Sequence, residues 1–152
     1  MTYAAGEARQ ELLDSVAEAA DELSRALASL GGAFEMLDDH TAERLEDELF
    51  RPLQLAYARA RRTHTEFAAR HALPPRTFAP ATSGHPSQGV TGFLDGAVEA
   101  IEHADDILSE LQDSMLPVEV GDPEVRSGLA EVRTILGDLP GKARRLGGVV
   151  GR

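Results

Sequence analysis

An all-α fold, an antiparallel up-down four-helix bundle, is predicted by three features of the chain. Apolar residues recur at alternating 3 and 4 spacing. Proline and glycine gather into a few short stretches. No run alternates as a half-buried strand would. Leu13, Val16, Ala20, Leu23, Leu27, Leu30, Phe34 and Leu37 carry the spacing first. Val90, Leu94, Ala97, Ile101, Ala104, Leu108, Leu111 and Met115 repeat it. So do Val125, Leu129, Val132, Leu136, Leu139, Ala143, Leu146 and Val150. A stripe of this period is what rods packed side by side bury.

The first helix is predicted over 7–38. Gly31-Gly32 falls inside it, and two glycines cost roughly 2 kcal/mol relative to alanines. The seam keeps its phase across them, so one long helix is expected rather than a loop. Asp38-Asp39-His40-Thr41 supplies cap and turn chemistry. The second helix is predicted over 42–71, with Leu45, Leu49, Leu53, Ala56, Ala60, Thr63 and Phe67 inward. Pro52 lacks a backbone donor and crowds the Glu48 carbonyl, which predicts a kink. Residues 73–89 hold Pro74, Pro75, Pro80 and Pro86 and read as a proline-rich loop. Helix three is expected over 90–115. Asp122-Pro123 combines an N-cap acceptor with a proline at the first helical position, so helix four is expected over 123–146. Glycines 147, 148 and 151 predict a frayed end over 147–152. Rods of this length measure roughly 40–50 Å. A rival assembly is a pair of long hairpins that dimerise.

With 152 residues, 42% apolar and 27% charged, a single domain over 1–152 is expected. There is no cysteine, which excludes disulfides and thiolate chemistry. No signal peptide and no apolar run of membrane-spanning length is evident, so a cytoplasmic location is the default expectation. Fourteen arginines against one lysine suggest a high-GC bacterial genome. The net charge of −11 argues against nucleic acid or anionic lipid as partner.

The charge is unevenly spread. Residues 1–50 carry thirteen acids and three bases, and residues 81–122 nine acids and no base. Residues 51–80 carry six arginines and Glu66, and residues 123–152 six bases and three acids. In an up-down-up-down bundle this places acidic helices 1 and 3 on one diagonal and basic helices 2 and 4 on the other. Such pairing disfavours helix 1 beside helix 3. The arginines 51, 59, 61, 62 and 70 then read as the complement of acidic neighbours.

No catalytic motif is present. The Glu-x-x-His pairs of di-iron bundles, the nucleophile elbow and phosphate-cradling glycine loops are all missing. No cofactor and no metal is expected. Asp38, Asp39, His40, Glu43, Asp47, Asp113, Glu119, Asp122 and Glu124 should gather at one end as an acidic pole, either as solvated caps or as a cation site. Ala20, Ala60, Thr63, Ala97 and Ala143 fall at about one level, with Gly96 and Gly141 adjacent. That layer means close packing or a pocket walled by Tyr57, Thr63 and His64. His71, His85 and His103 have no partner at ligand spacing and read as surface residues. The expected function is a non-enzymatic protein-interaction or scaffolding module, with a protein partner or a second copy. The alternative is a small-molecule or metal-ion binding bundle using the small-residue layer or the acidic pole.

Overall fold

The computed structural model describes residues 2–84 and 88–150, all helix, turn or irregular chain with no strand among them. His85 and Pro86, and the end at 151–152, lie outside the described residues. Helix α1, Thr2–Phe34, runs unbroken through Gly31 and Gly32. It stops short of Leu37, which folds back half-buried against the core, and Phe34 is left 43% exposed.

Asp38 caps α2, Asp39–Leu45, by accepting from the Thr41 N–H at 2.9 Å. Pro52 does not produce a simple kink. The chain widens into a π-helical turn, Glu46–Phe50, before α3, Arg51–Arg70. The Arg51 N–H reaches back to the Glu46 carbonyl, one residue further than an α-helical bond. Widening the turn just before Pro52 is a way to make room for its ring.

Helix α4, Gly89–Asp113, ends before Met115, which takes a left-handed φ of 69° and is 47% exposed. A short α5, Leu116–Glu119, follows. Asp122 then caps α6, Pro123–Leu136, accepting from the Val125 N–H at 2.8 Å. The fourth rod is not continuous. It breaks at Gly137 and Asp138 and resumes as α7, Leu139–Val150, because Pro140 offers no N–H to the carbonyl of Leu136. The seam survives the break: Val125, Leu129, Val132, Leu136, Leu139, Ala143 and Leu146 are all buried. Gly147 and Gly148 stay helical.

Side-chain pairs give the direction of each rod. Between α1 and α4, Ser29 donates to the Phe93 carbonyl at 2.5 Å and Glu22 meets His103 at 3.3 Å, so these helices are antiparallel. Between α3 and α6, Arg70 pairs with Asp122 and Arg59 with Glu131, again antiparallel. Arg133 meets Asp105 and Arg144 meets Glu102, which sets the fourth rod antiparallel to α4. The chain therefore runs up, down, down, up.

This corrects the expected alternation. The neighbours of α1 are α3 and α4, and the α1–α4 contact is the most extensive in the molecule. Helix 1 does not pair with the fourth rod. The link after α3 makes this possible. It climbs along α1, with Arg76 on Asp21 and the Ala81 N–H on Ser24 Oγ at 2.9 Å. Chain at about 3.3 Å per residue is long enough to climb a rod and restart α4 at the opposite end.

Why α4 chooses α1 is visible on both helices. Leu12, Ser15, Ala19, Glu22, Ala26, Ser29 and Ala33 form a second 3/4 stripe on α1. Phe93, Gly96, Ala100, His103, Ile107, Glu110 and Ser114 form its counterpart on α4. Leu12, Ala19, Ala26 and Ala33 are fully buried. Small residues along this seam permit close approach of the two helices. Phe93 sits on Gly32, where an added Cβ would fall 2.6 Å from its ring.

Candidate functional site

Closing α1 against α4 brings together the two most acidic helices. Their shared groove is lined from α1 by Glu11, Ser15, Glu18, Glu22, Arg25 and Ser29. From α4 it is lined by Gly96, Glu99, Glu102, His103, Asp106 and Glu110. Its two halves meet at His103 and Asp106, so it is continuous along the seam. The residues line it because Ser15, Glu22 and Ser29 belong to the packed stripe, with Glu11 and Glu18 one position further out.

Among the described residues Arg25 is the one arginine lining the groove. Arg133 neutralises Asp105 on the far flank of α4, and Arg144 pairs with Glu102 at the edge of the groove. Arg76 takes Asp21 on the far flank of α1. Arg59 and Arg70 bind the acids of α6, not those of α1 or α4, which corrects the expected complement. Within the groove Glu22, 7% exposed, is held by Arg25 and His103. Glu11, Glu18, Glu99, Asp106 and Glu110 have no ion pair among the described residues.

The expected acidic pole does not form. Asp38, Asp39, His40, Glu43 and Asp47 follow the C-terminal end of α1. Asp113, Glu119, Asp122 and Glu124 follow the C-terminal end of α4, which lies at the opposite end because α1 and α4 are antiparallel. Among the described residues no group of three or more His, Asp and Glu is placed to hold a metal ion. Asp122 has a structural assignment instead. Burial raises its pKa, but Arg70, the Val125 N–H and His71 outweigh that and hold it at about 2. His71 and His103 thus each face a carboxylate, at 2.9 and 3.3 Å.

The small-residue layer also dissolves with the new topology. Gly96 lies against Ser29 and His103 against Glu22, so Ala20 faces the neighbourhood of Ala104 and not of Ala97. That separates Ala20 from Ala97 by roughly two helical turns, about 11 Å. Ala20, Ala60, Thr63, Ala97 and Ala143 are each buried, but not together at one level.

Tyr57, Thr63 and His64 do not share a wall. Tyr57 is half-buried under the Arg61 guanidinium, 4.6 Å from its ring. Thr63 faces α6, donates to the Arg59 carbonyl at 2.7 Å and fills the space that a Cβ on Gly128 would need. His64 points the other way, into the side where α1 and the crossover meet. It is 3% exposed, its Nδ1 has no hydrogen-bond partner, and burial, then Arg76, lowers its pKa against the opposing pull of Asp14. The groove acids escape a search for apolar periodicity because Ser15, Glu22 and Ser29 interrupt the second stripe. The 3/4 spacing, read without regard to polarity, is the signal that marks it.

No helix among the described residues is long and apolar enough to cross a membrane. No protein family, no characterised protein and no solved structure matches the chain.

Proposed function

We infer that this chain is a non-enzymatic interaction module whose working surface is the α1–α4 groove, and that it takes a basic, Lys- and Arg-rich segment of a partner protein. The four rods with one crossover serve as its scaffold. The observation that carries the reading is the side-by-side packing of the two acidic helices with Glu11, Glu18, Glu99, Asp106 and Glu110 of the groove left without an ion pair among the described residues, while Glu22 and Glu102 are paired. Like charges brought together weaken a fold. Departures from local consistency of this kind concentrate at functional surfaces. A lined negative groove attracts cationic segments, accelerates their encounter and rejects acidic competitors.

Calorimetric titration with a Lys/Arg-rich peptide at low ionic strength tests this. Binding should weaken steeply with added salt. A variant with Glu18→Gln, Glu99→Gln, Asp106→Asn and Glu110→Gln should lose at least tenfold in affinity. A variant with the same charge change at Glu35, Asp39, Glu43 and Glu46, outside the groove, should lose far less. Equal losses in the two variants would reduce the effect to net charge and overturn the assignment of the groove.

A further inference from the structure

We propose that the crossover is an acid-sensitive latch with His64 as its trigger: lowering the pH releases the segment from Leu73 to Thr82 while the helices stay packed. The closed arrangement is built around the imidazole. Phe78 meets it edge-on, with ring centroids 5.3 Å apart and planes at 87°. Arg76 stacks 4.8 Å above the Phe78 ring and pairs with Asp21 at 2.7 Å, tying this roof to α1. Beyond it the Ala81 N–H is held by Ser24 Oγ. Beneath the roof His64 Nδ1 is buried with no partner. Nδ1 itself is out of reach of solvent while the crossover is in place.

The charged groups facing the ring set the direction. Arg76 approaches from the crossover. Asp14, Glu18 and Asp21 approach from α1. On α3 itself Arg61, one turn earlier, is engaged over Tyr57. With the roof closed, burial and Arg76 hold the imidazole below its ordinary value, and Asp14 opposes them. A proton on the ring adds a cation beside Arg76 and an N–H with no acceptor. Lifting the roof removes Arg76, admits water to Nδ1 and leaves the carboxylates of α1, which favour the imidazolium. The closed state therefore binds a proton less readily than the open one. Acidification below the ordinary imidazole value of about 6.5 shifts the population toward opening. The latch stands independently of the groove reading.

Amide hydrogen exchange followed by NMR, corrected for intrinsic rates, tests it between pH 7.5 and 5.0. Protection of Ala81 should fall about tenfold per pH unit once the pH is below the open-state value. The amides of Leu53 and Leu108, in the core, should keep their protection. The His64→Phe variant, which keeps an aromatic ring against Phe78, should show no pH dependence at Ala81. Arg76→Gln removes the repelling cation and should raise the His64 titration midpoint, read from its ring proton shifts. Ala81 protection that is constant with pH would overturn the latch. So would an equal loss in His64→Phe, which would place the trigger at another histidine, or a simultaneous loss at Leu53 and Leu108, which would make the event global unfolding.

Discussion

Gly31 and Gly32 are adjacent in one helix, yet the fold gives them opposite sensitivities. Replacing either by alanine removes the glycine penalty in a helix interior, a gain of about 1 kcal/mol. At Gly31 nothing lies within 4 Å of the new Cβ. The full gain should appear, raising Tm by roughly 2–4 °C for a domain of this size. At Gly32 the Cβ lands 2.6, 2.8 and 2.9 Å from three atoms of the Phe93 ring. That ring is 2% exposed and cannot swing into solvent. Overpacking a closed core costs about 1–3 kcal/mol, which cancels or exceeds the propensity gain. Gly31→Ala should therefore exceed Gly32→Ala in stability by about 1–3 kcal/mol. Urea unfolding monitored by far-UV circular dichroism measures both. Adding Phe93→Leu to Gly32→Ala should recover part of the loss, a coupling that a double-mutant cycle reads directly. If Gly32→Ala proves as stabilising as Gly31→Ala, Phe93 does not rest on α1, and the α1–α4 pairing argued above is wrong. If Gly31→Ala is destabilising, the helix does not continue through this point.

Other outcomes follow from the same geometry. Gly128→Ala should cost about 1–3 kcal/mol in overpacking, because Thr63 occupies the space and is anchored to the Arg59 carbonyl, against a helix-propensity gain of about 1 kcal/mol, so that thermal melts should show no stabilisation and a net loss of up to about 2 kcal/mol. Asp122, with a side chain only 16% exposed, should lend about 2 kcal/mol that is present above pH 4 and lost as the pH falls toward 2, since its folded pKa is depressed to about 2. Asp122→Asn should flatten that part of the acid-unfolding curve. Because α1 and α4 bring like charges together, Tm should rise with sodium chloride between about 10 and 300 mM, and the four-residue neutralised groove variant should lose most of that dependence.

Much of the architecture was legible in the residue order. The four apolar seams locate the rods, and the acceptors at Asp38 and Asp122 start α2 and α6 as their chemistry requires. Both are local properties: a cap is decided within three residues, and a seam within a few turns. Which rod touches which is not local. Charge bookkeeping favoured separating helices 1 and 3, but each solvated ion pair is worth only a few tenths of a kcal/mol. Burying Leu12, Ala19, Ala26 and Ala33 against Phe93, Ala100 and Ile107 is worth far more in aggregate, at about 25 cal/mol per Å² of apolar surface.

The candidate site shares that fate. Thr63 and His64 are neighbours in sequence, but successive positions on a helix diverge by about 100°, so Thr63 turns to α6 and His64 to the crossover. Likewise, Asp39 and Glu124 are drawn to opposite ends once α4 restarts beside the C-terminal end of α1. The sequence alone settles that the chain is helical, which acceptors cap α2 and α6, and the main apolar stripe that each rod must hide. Only the assembled fold decides their partners, because a rod with two hydrophobic stripes can satisfy either one with several neighbours. The choice rests on how closely whole surfaces interlock.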